Sequence, residues 1–547
     1  MTSVVTAAGV SVTTRGDAVE ETEAVLERLV SDGVPGALTS KSAQLWGPDA
    51  LSEASRRLGW LDLAETSRNL LEPLQQLAAE YKAEGLDHIV LAGMGGSSLA
   101  PEVITRTAGA ELTILDTTDP HQIGRAVADR IERTVVVVAS KSGGTIETDC
   151  HRRAYEQAFR EAGITGDALK HRFVVVTDPG SPLEASARQA GYHVVLADPD
   201  VGGRYSALTA FGLVPSALAG VDVAALLDDA AALAPSLRQP YDNPGLALGA
   251  ALGSAAVGGR DKLLIADNGS GIVGFGDWAE QLIAESTGKE GKGILPVVVE
   301  SVAAPGFAPA PDVRGVVLGE FDTAALRVKG PLGAQFLLWE YATAVAGRVI
   351  GINPFDQPDV QEAKDLANEM LRSEDGRPPV IVAGEPDLVD GAVEVHAGGA
   401  VKADNLADAL DELIALVPDR GYLAVMAYLD RTGSDAPAAE LRALITERSA
   451  GVRRQGAAPV TFGWGPRFLH STGQFHKGGP QNGVFLQLTG EVEKDLPVPG
   501  KPFTFGTLQL AQAFGDLRAL RSRGRPAVRL HLRDRATGVQ QLLDALR

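Results

Sequence analysis

The stretch Thr134–Thr148, "TVVVVASKSGGTIET", joins an uninterrupted apolar run to a cluster of glycine, hydroxyl and lysine residues. A run of β-branched residues without polar alternation is typical of a strand that is covered on both faces, as in parallel sheets flanked by helices. The polar residues follow the carboxyl end of this strand, which is where open α/β sheets bind their ligands. The stretch therefore predicts a doubly wound α/β domain with a site at its strand ends.

Similar apolar runs of strand length occur on both sides of this stretch. Each is rich in valine, isoleucine or leucine and ends in polar or glycine residues: "HIVLAGMGGSS", "ELTILDTTDP", "RFVVVTDPGSP" and "HVVLADPDVGG". Segments of helical length separate these runs, and this alternation is the pattern of a parallel sheet with helices on both faces. We predict one such domain over residues 86–235.

The rest of the chain divides into three further parts. A second α/β domain is predicted over residues 236–374, beginning with the strand "DKLLIADNGSG". The proline-rich hinge "SEDGRPPVIVAGEPD" separates it from a third α/β domain over residues 375–547. Residues 1–85 contain amphipathic stretches that end on glycine, so we predict a helical N-terminal segment.

Composition limits the classes of function. The chain has 547 residues, a formal net charge of −20 and a single cysteine, which argues against nucleic-acid binding, a disulfide scaffold and a cysteine-based zinc site. No run reaches the roughly 20 apolar residues that a membrane span requires. The first residues also lack the pattern of a signal peptide. We therefore expect a cytoplasmic protein.

The loop Ser140–Thr145 has the composition of a phosphate-binding site. Ser140, Ser142 and Thr145 can donate hydrogen bonds to phosphate oxygens, and Lys141 adds a positive charge. The loop also precedes a predicted helix, whose first backbone N–H groups attract anions. A polar turn with serine and threonine helix caps is the alternative interpretation. The hydroxyls and the lysine together favour phosphate binding.

Two further loops follow strands of the same predicted sheet. The segment "GMGGSSLAPEV" includes Gly96 and Ser97, and it lacks the spacing of a dinucleotide-binding fingerprint. With the Ser140 loop it would form two adjacent strand ends that converge on one phosphosugar. In "DVGGRYSAL", Arg204 follows two glycines, and its guanidinium would suit a phosphate or an enediolate oxyanion. A solvated arginine after a glycine turn is equally consistent with that segment.

Five motifs, in order, resemble those of the glucose-6-phosphate isomerases, which are built from two SIS (sugar isomerase) domains. They extend over residues 90–370: "GGSS", "SKSGGTIET", "DVGGRYS", "QLIAESTGK" and "GINPFDQPDVQEAKDLA". Five ordered motifs are more specific than any one of them. The resemblance implies that residues 86–235 and 236–374 are SIS-type domains. The later segment "GPRFLHSTGQFHKGGPQNG" is most similar to the isomerase half of fused transaldolase/isomerase proteins.

The resemblance implies interconversion of glucose 6-phosphate and fructose 6-phosphate through a cis-enediolate. This chemistry needs a base that moves a proton between C1 and C2, a cation beside the oxyanion, and groups that open the sugar ring. By resemblance Glu285 is the base, Arg204 stabilises the enediolate, and Lys364 contacts a substrate oxygen or opens the ring. The resemblance assigns substrate or phosphate binding to Gly96, Ser97, Ser140, Lys141, Ser142, Thr145 and Gln281.

The ring-opening histidine is the role that the five motifs leave unassigned. In the family it lies between the glutamate motif and the Asn-x-Phe-Asp-Gln segment, but no histidine occurs here between Glu285 and His396. His470 and His476 are the candidates, acting in this subunit or in a neighbouring one. A loop histidine that only caps local backbone is the alternative for both. Lys289 in "ESTGK" is expected to be a solvated cap or a distant charge partner.

Two other functions are consistent with these motifs. Gly143 and Gly144 replace bulkier residues of the long-chain enzymes, so a roomier pocket would suit a dual phosphoglucose/phosphomannose isomerase. A non-catalytic SIS-domain regulator would keep the phosphate loop but would not need Glu285, Arg204 and Lys364 together. The enediolate mechanism requires no metal or other cofactor. The family resemblance also implies a homodimer.

Overall fold

Three β-sheets form the framework of the protein. The computed structural model describes residues 1–372, 379–381 and 384–547, so the predicted hinge at 373–387 lies partly outside the described residues. Each sheet has parallel strands at its centre, and helices pack against it. The predicted α/β class is confirmed. Among the described helices, each is too short or too polar to cross a membrane.

The chain begins with a β-hairpin, which corrects the prediction of a helical segment from residue 1. Its strands are β1 (Thr2–Ala7) and β2 (Val10–Arg15), and they are antiparallel. The turn between them has positive φ at both central residues, Ala8 and Gly9, as tight hairpin turns require. Five helices follow: α1 (Asp17–Ser31), α2 (Val34–Thr39), α3 (Leu51–Ala54), α4 (Leu63–Thr66) and α5 (Leu71–Ala83).

The first sheet contains the five predicted apolar runs, all in parallel. Its strands are β3 (His88–Gly93), β4 (Thr113–Leu115), β5 (Thr134–Ala139), β6 (Phe173–Thr177) and β7 (His193–Leu196), in the order β4-β3-β5-β6-β7. Alternate valines of β5 pack into two different hydrophobic cores, one on each face, which explains the absence of polar alternation. The associated helices are α6 (Leu99–Ala108), α7 (Pro120–Ala128), α8 (Ile146–Glu161), α9 (Gly166–Lys170), α10 (Pro182–Ala190) and α11 (Ala210–Leu218).

The second sheet combines parallel strands with the N-terminal hairpin. Its strands β8 (Lys262–Asn268), β9 (Leu295–Val298), β10 (Val313–Gly319) and β11 (Leu326–Lys329) are parallel, and β2 pairs antiparallel with β11. Its helices are α12 (Val223–Leu237), α13 (Pro244–Val257), α14 (Phe275–Thr287), α15 (Leu332–Ile350) and α16 (Gln361–Met370). Residues 332–347 of α15 are all buried, so this helix forms the centre of the second domain.

The third sheet lies in the C-terminal part of the chain. Its strands are β12 (Leu388–Asp390), β13 (Val393–His396), β14 (Tyr422–Tyr428), β15 (Val460–Trp464), β16 (Gly483–Gly490) and β17 (Ala527–Leu532). They lie in the order β12-β13-β17-β16-β14-β15. The pairs β12–β13 and β13–β17 are antiparallel, and the other pairs are parallel. Its helices are α17 (Leu406–Ala415), α18 (Leu441–Val452), α19 (Gly473–Gly478), α20 (Phe505–Ser522) and α21 (Arg535–Leu546). Helix α20 packs against α16, which joins this domain to the second one.

Candidate active site

The loop Ser140–Thr145 forms one wall of a cavity of about 150 Å³. It connects the end of β5 to the first turn of α8, and Ser142, Gly144 and Thr145 line the cavity together with that turn. The hydroxyls of Ser140 and Thr145 lie 2.8 Å apart. The first N–H groups of an α-helix have no partner within the helix, so this wall offers hydroxyl and amide donors to an anion.

Lys141 pairs with Asp178 instead of lining the cavity. Its ammonium lies 2.5 Å from the Asp178 carboxylate. Burial lowers the pKa of Lys141 and raises the pKa of Asp178, although the contact between them opposes both shifts. The lysines that line the cavity are Lys364 and Lys477.

Arg204 and Glu285 meet at the C-terminal end of α14. Arg204 is only 4% exposed, and its Nη1 lies 3.2 Å from Oε1 of Glu285. The guanidinium also donates to the Ser286 hydroxyl at 2.8 Å and to the Gln357 side chain at 2.9 Å. These contacts fix the guanidinium beside a carboxylate whose side chain is still 16% exposed.

The loop 353–357 holds the same guanidinium from another side. Nη2 of Arg204 donates to the carbonyl oxygens of Pro354 at 2.7 Å and of Asp356 at 3.1 Å. Lys289 contacts this loop as well, and its side chain is only 1% exposed. The expectation that Lys289 is a solvated cap or a distant charge partner is therefore wrong. Its Nζ donates to the Asn353 carbonyl and to the carbonyl and carboxylate of Asp356, each at 2.6 Å.

Gln281 connects Glu285 to the backbone of His470. Its Nε2 donates to Oε2 of Glu285 at 3.0 Å and to the His470 carbonyl at 2.8 Å. Gly95 packs directly against this amide, since a Cβ at that position would lie 2.7 Å from the Gln281 nitrogen. The i, i+4 spacing on α14 therefore does bring Gln281 and Glu285 to one face, as their spacing predicts.

The loop that contains Gly96 and Ser97 packs against the loop that carries Arg204. A Cβ on Gly96 would lie 1.9 Å from the carbonyl oxygen of Gly203, which only glycine permits. Ser97 is buried, with 8% of its surface exposed. The close approach brings the end of β3 next to Arg204.

His470 lines the cavity and pairs with the buried carboxylate of Glu147. Its Nε2 lies 2.9 Å from Oε1 of Glu147, and the Gln512 amide donates to the same oxygen at 2.7 Å. Burial alone would raise the pKa of Glu147, but the charge and hydrogen bond of His470, with a lesser contribution from Lys364, lower it to about 2. Glu147 stands inside the phosphate-loop motif, but its pairing with His470 is not predictable from that motif, because the two residues are 323 positions apart.

His476 lies in the core of the C-terminal domain. It is 2% exposed, its Nδ1 lies 3.0 Å from the Tyr422 hydroxyl, and its ring packs edge-on against Phe485. Burial, followed by the charges of Lys477 and Arg525, lowers its pKa well below the ordinary histidine value. Of the two candidate histidines, His470 is the one that lines the cavity.

Two lysines line the cavity in different ways. Lys364, on α16, is exposed. Lys477, on α19, has a side chain that is 1% exposed and lies 2.6 Å from the carboxylate of Asp516. Nothing in the local sequence around Lys477 indicates that its side chain reaches this cavity.

One group of side chains in the described part of the chain has the spacing of metal ligands. It consists of Glu80, Glu84 and His171. The glutamates are exposed, and the His171 Nε2 lies 3.1 Å from a carboxylate oxygen of Glu84, as in an ordinary surface ion pair. The cavity-lining residues offer one carboxylate and one imidazole, Glu147 and His470, which already bind each other.

Residues 67–289 match the model of a known protein family, which is described as phosphoglucose isomerase. This segment, about two fifths of the chain, is similar to the phosphoglucose isomerases. The matched part includes the Ser140–Thr145 loop, Arg204 and Glu285, whereas Lys364 and His470 lie beyond it. The matched segment thus covers the Arg204–Glu285 contact, which lies outside the cavity lining, and the phosphate-loop wall of the cavity. The other lining residues lie between 360 and 512.

Curated proteins similar to this chain come from several prokaryotes. A probable glucose-6-phosphate isomerase of Haloarcula marismortui is 34% identical over 221 residues, which are 38% of this chain and 49% of the relative. The glucose-6-phosphate isomerase of Synechococcus sp. (strain JA-3-3Ab) is 36% identical over 36% of this chain and 39% of the relative. That of Rubrobacter xylanophilus is 29% identical over 63% of this chain and 96% of the relative. This chain therefore spans about half or less of the first two relatives and nearly all of the third.

Two solved structures share the fold of this chain. A hypothetical protein of Thermus thermophilus matches with a TM-score of 0.56 and 21% identity, over 68% of this chain and 100% of the other. A glucose-6-phosphate isomerase of Chlamydia trachomatis matches with a TM-score of 0.51 and 18% identity, over 67% and 89%. At these identities the comparison establishes the fold alone.

Proposed function

We propose that the protein is an aldose–ketose isomerase that interconverts glucose 6-phosphate and fructose 6-phosphate. The observation that carries this proposal is the 3.2 Å contact between the Arg204 guanidinium and the Glu285 carboxylate. A base that moves a proton between neighbouring carbons needs a cation beside it, because negative charge develops on the substrate oxygens. The names of the relatives, glucose-6-phosphate isomerase, support this choice of substrate.

In this proposal the phosphate binds at the N-terminus of α8. The hydroxyls of Ser142 and Thr145 and the free N–H groups of the first turn donate to its oxygens. Lys364 adds the positive charge of an exposed side chain on the same cavity. Lys141 acts indirectly, since its ammonium is already paired with Asp178.

His470 and Lys364 are the groups that we assign to ring opening. The imidazole bonds Glu147 through Nε2, so it exchanges a proton with the sugar through Nδ1. An anionic Glu147 stabilises the protonated imidazole, as a buried carboxylate does in other acid–base sites. His476 has no role in this mechanism, because it lies in the core of the C-terminal domain.

Glu285 transfers the proton between C2 and C1 of the opened sugar. As the proton leaves C2, charge moves to the oxygens on C1 and C2, and Arg204 stabilises the resulting enediolate. Gln281 holds the second carboxylate oxygen of Glu285 at 3.0 Å and so fixes the orientation of the base. The hydroxyl proton on O2 passes to O1, and the same carboxyl group returns its proton to C1, which completes the conversion to the ketose.

Turnover of fructose 6-phosphate tests this proposal. The purified protein should form glucose 6-phosphate without added metal or nucleotide, measured with a coupled dehydrogenase assay. Glu285→Gln should reduce kcat by on the order of 10³-fold, because it removes the base, while KM changes little. Glu290→Gln, the same change at an exposed position just beyond the helix, is the matched control.

The other outcomes distinguish the alternatives. Tight binding of fructose 6-phosphate without turnover by the wild type would indicate a sugar-phosphate regulator instead of an enzyme. Comparable turnover of mannose 6-phosphate and glucose 6-phosphate would indicate the dual isomerase. Full activity of the Glu285→Gln variant would refute the assignment of the base.

A further inference from the structure

Lys289 is a buried cation beside the proposed catalytic pair. It follows α14 by two residues, and its side chain is 1% exposed. Its three Nζ contacts, each 2.6 Å, go to the loop 353–357: the carbonyl of Asn353 and the carbonyl and carboxylate of Asp356. An ammonium has three N–H donors, so these contacts use its full capacity.

Arg204 binds the same short loop. Its Nη2 donates to the Pro354 and Asp356 carbonyls, and its Nη1 donates to the Gln357 side chain. The Asp356 carbonyl therefore accepts from both cations. The loop 353–357 is held between Lys289 and Arg204, so the position of the guanidinium depends on where Lys289 holds the loop.

The Asp356 carboxylate explains why a cation is useful at this position. Arg204 binds Asp356 through the backbone carbonyl, at 3.1 Å, and the carboxylate that it contacts is that of Glu285, at 3.2 Å. Lys289 binds the Asp356 carboxylate at 2.6 Å and so keeps it engaged. Each of the two cations therefore contacts one carboxylate, Lys289 that of Asp356 and Arg204 that of Glu285. A neutral donor would bind the carbonyl oxygens of the loop but would hold this carboxylate less strongly.

We propose that Lys289 is a positioning residue of the isomerase: it fixes the loop 353–357 and the Asp356 carboxylate so that Arg204 remains directed at Glu285. This inference rests on the proposed isomerase function. It adds a residue that does not touch the substrate and that acts through Arg204 on the enediolate. The expected signature is a loss in kcat with little change in KM, because the enediolate exists only after substrate has bound.

The charge of Lys289 also links activity to pH. The charged groups that face it are Arg204 from the loop after β7, Asp356 from the loop 353–357, and Glu285 from α14. Burial and then the charge of Arg204 lower the pKa of Lys289 to about 8, while Asp356 and Glu285 oppose this shift. The ammonium is present below this pKa and is lost as the pH rises through it. We therefore expect kcat to fall on the alkaline side with an apparent pKa near 8.

Substitution of Lys289 tests the inference against a matched control. Lys289→Met should lower kcat for fructose 6-phosphate by about 10- to 100-fold and leave KM within about threefold. It should weaken binding of a phosphorylated five-carbon aldonate, whose carboxylate mimics the enediolate, by a similar factor. Lys292→Met removes a lysine from the same turn that is 47% exposed, and it should retain wild-type kcat.

Each outcome has a separate meaning. An inactive wild type would overturn the proposed function, whereas an active wild type with unchanged kcat in Lys289→Met would overturn only this inference. Equal losses in substrate affinity and aldonate affinity would also contradict it, because they would indicate a general disruption of the pocket.

A second variant decides the question if Lys289→Met does not fold. Asp356→Asn removes a partly exposed carboxylate that raises the pKa of Lys289, so the alkaline limb of kcat should move to lower pH by at least ~0.5 unit. An alkaline limb that stays at the wild-type position in this variant would refute the positioning role.

Discussion

The imidazole of His470 is held by a single carboxylate at the wall of the cavity. Glu147 accepts from its Nε2 at 2.9 Å and from Gln512 at 2.7 Å. With its pKa lowered to about 2, Glu147 remains anionic at neutral pH and determines which imidazole nitrogen carries the proton. In the proposed mechanism, this one contact prepares His470 for proton exchange with the sugar ring.

Replacing the charge of Glu147 tests this contact. Glu147→Gln keeps an oxygen acceptor but removes the negative charge, so kcat near pH 7 should fall by about 10- to 100-fold. Glu161→Gln, at the exposed C-terminal end of the same helix, serves as the control and should retain full activity. A wild-type kcat in Glu147→Gln would show that His470 does not depend on its partner.

The role of a single residue can be predicted from the sequence when the residue belongs to a known motif. It cannot be predicted when the role depends on contacts with residues distant in sequence. Arg204 and Glu285 were selected from their motifs, and the structure brings them within 3.2 Å. Glu147 stands in the phosphate-loop motif and Lys289 in the Glu285 motif, but their burial and partners depend on segments far away in sequence. His470 and His476 are six residues apart, and only the packing of α19 distinguishes a residue at the cavity from one in the core.

At the scale of loops and strands, the site depends on close contact between the ends of β3 and β7. The loop after β3 touches the loop that carries Arg204 at Gly96, where a Cβ would lie 1.9 Å from the carbonyl oxygen of Gly203. Any displacement of one loop therefore moves the other. This contact transmits the geometry of the first sheet to the guanidinium beside Glu285.

A methyl group at Gly96 tests that contact. Gly96→Ala would place a Cβ 1.9 Å from the Gly203 carbonyl oxygen, so the two loops must separate and kcat/KM should fall by at least about 10-fold. Gly124→Ala, at a helical position with no neighbouring atom within 4 Å, is the control and should leave kcat/KM unchanged. Wild-type kcat/KM in Gly96→Ala would mean that the loops are not coupled.

Strand prediction succeeded where strands are long and buried on both faces. All five apolar runs of the first sheet form parallel strands, because an apolar run of that length without polar alternation fits a strand covered on both faces. The hairpin β1–β2 was missed because its runs are short and precede a strongly helical segment. Its signal was present in the β-branched residues on either side of Ala8–Gly9.

At the scale of the whole molecule, buried ion pairs join the C-terminal domain to the first. Arg431 and Arg467 contact Glu102 and Asp116, at distances of 2.5 to 3.3 Å. Burial would raise the pKa of Glu102, but the charges of Arg467 and Arg431 lower it to about 2. This interface brings His470 to the cavity, and sequence reasoning could not predict it because it joins segments more than 300 residues apart.

Acid should weaken this interface. A carboxylate whose pKa is lower in the folded state stabilises the fold above about pH 4.5 and loses this contribution as the pH falls towards 2. For Glu102 the shift corresponds to about 3 kcal/mol. Denaturant unfolding should therefore show a decreasing free energy of unfolding below pH 4.5, and Glu102→Gln should flatten that dependence. An unchanged pH dependence in Glu102→Gln would contradict the assignment of this carboxylate.

Hydrogen exchange during turnover tests the central claim, that Glu285 moves a proton between C2 and C1 beside Arg204. Fructose 6-phosphate should be converted in D2O and the glucose 6-phosphate formed should be analysed by NMR. With the wild type, deuterium should appear at C2 of the product, and Glu285→Gln should lose both turnover and exchange. Conversion without any deuterium at C2 would indicate direct hydride transfer and would contradict the enediolate mechanism.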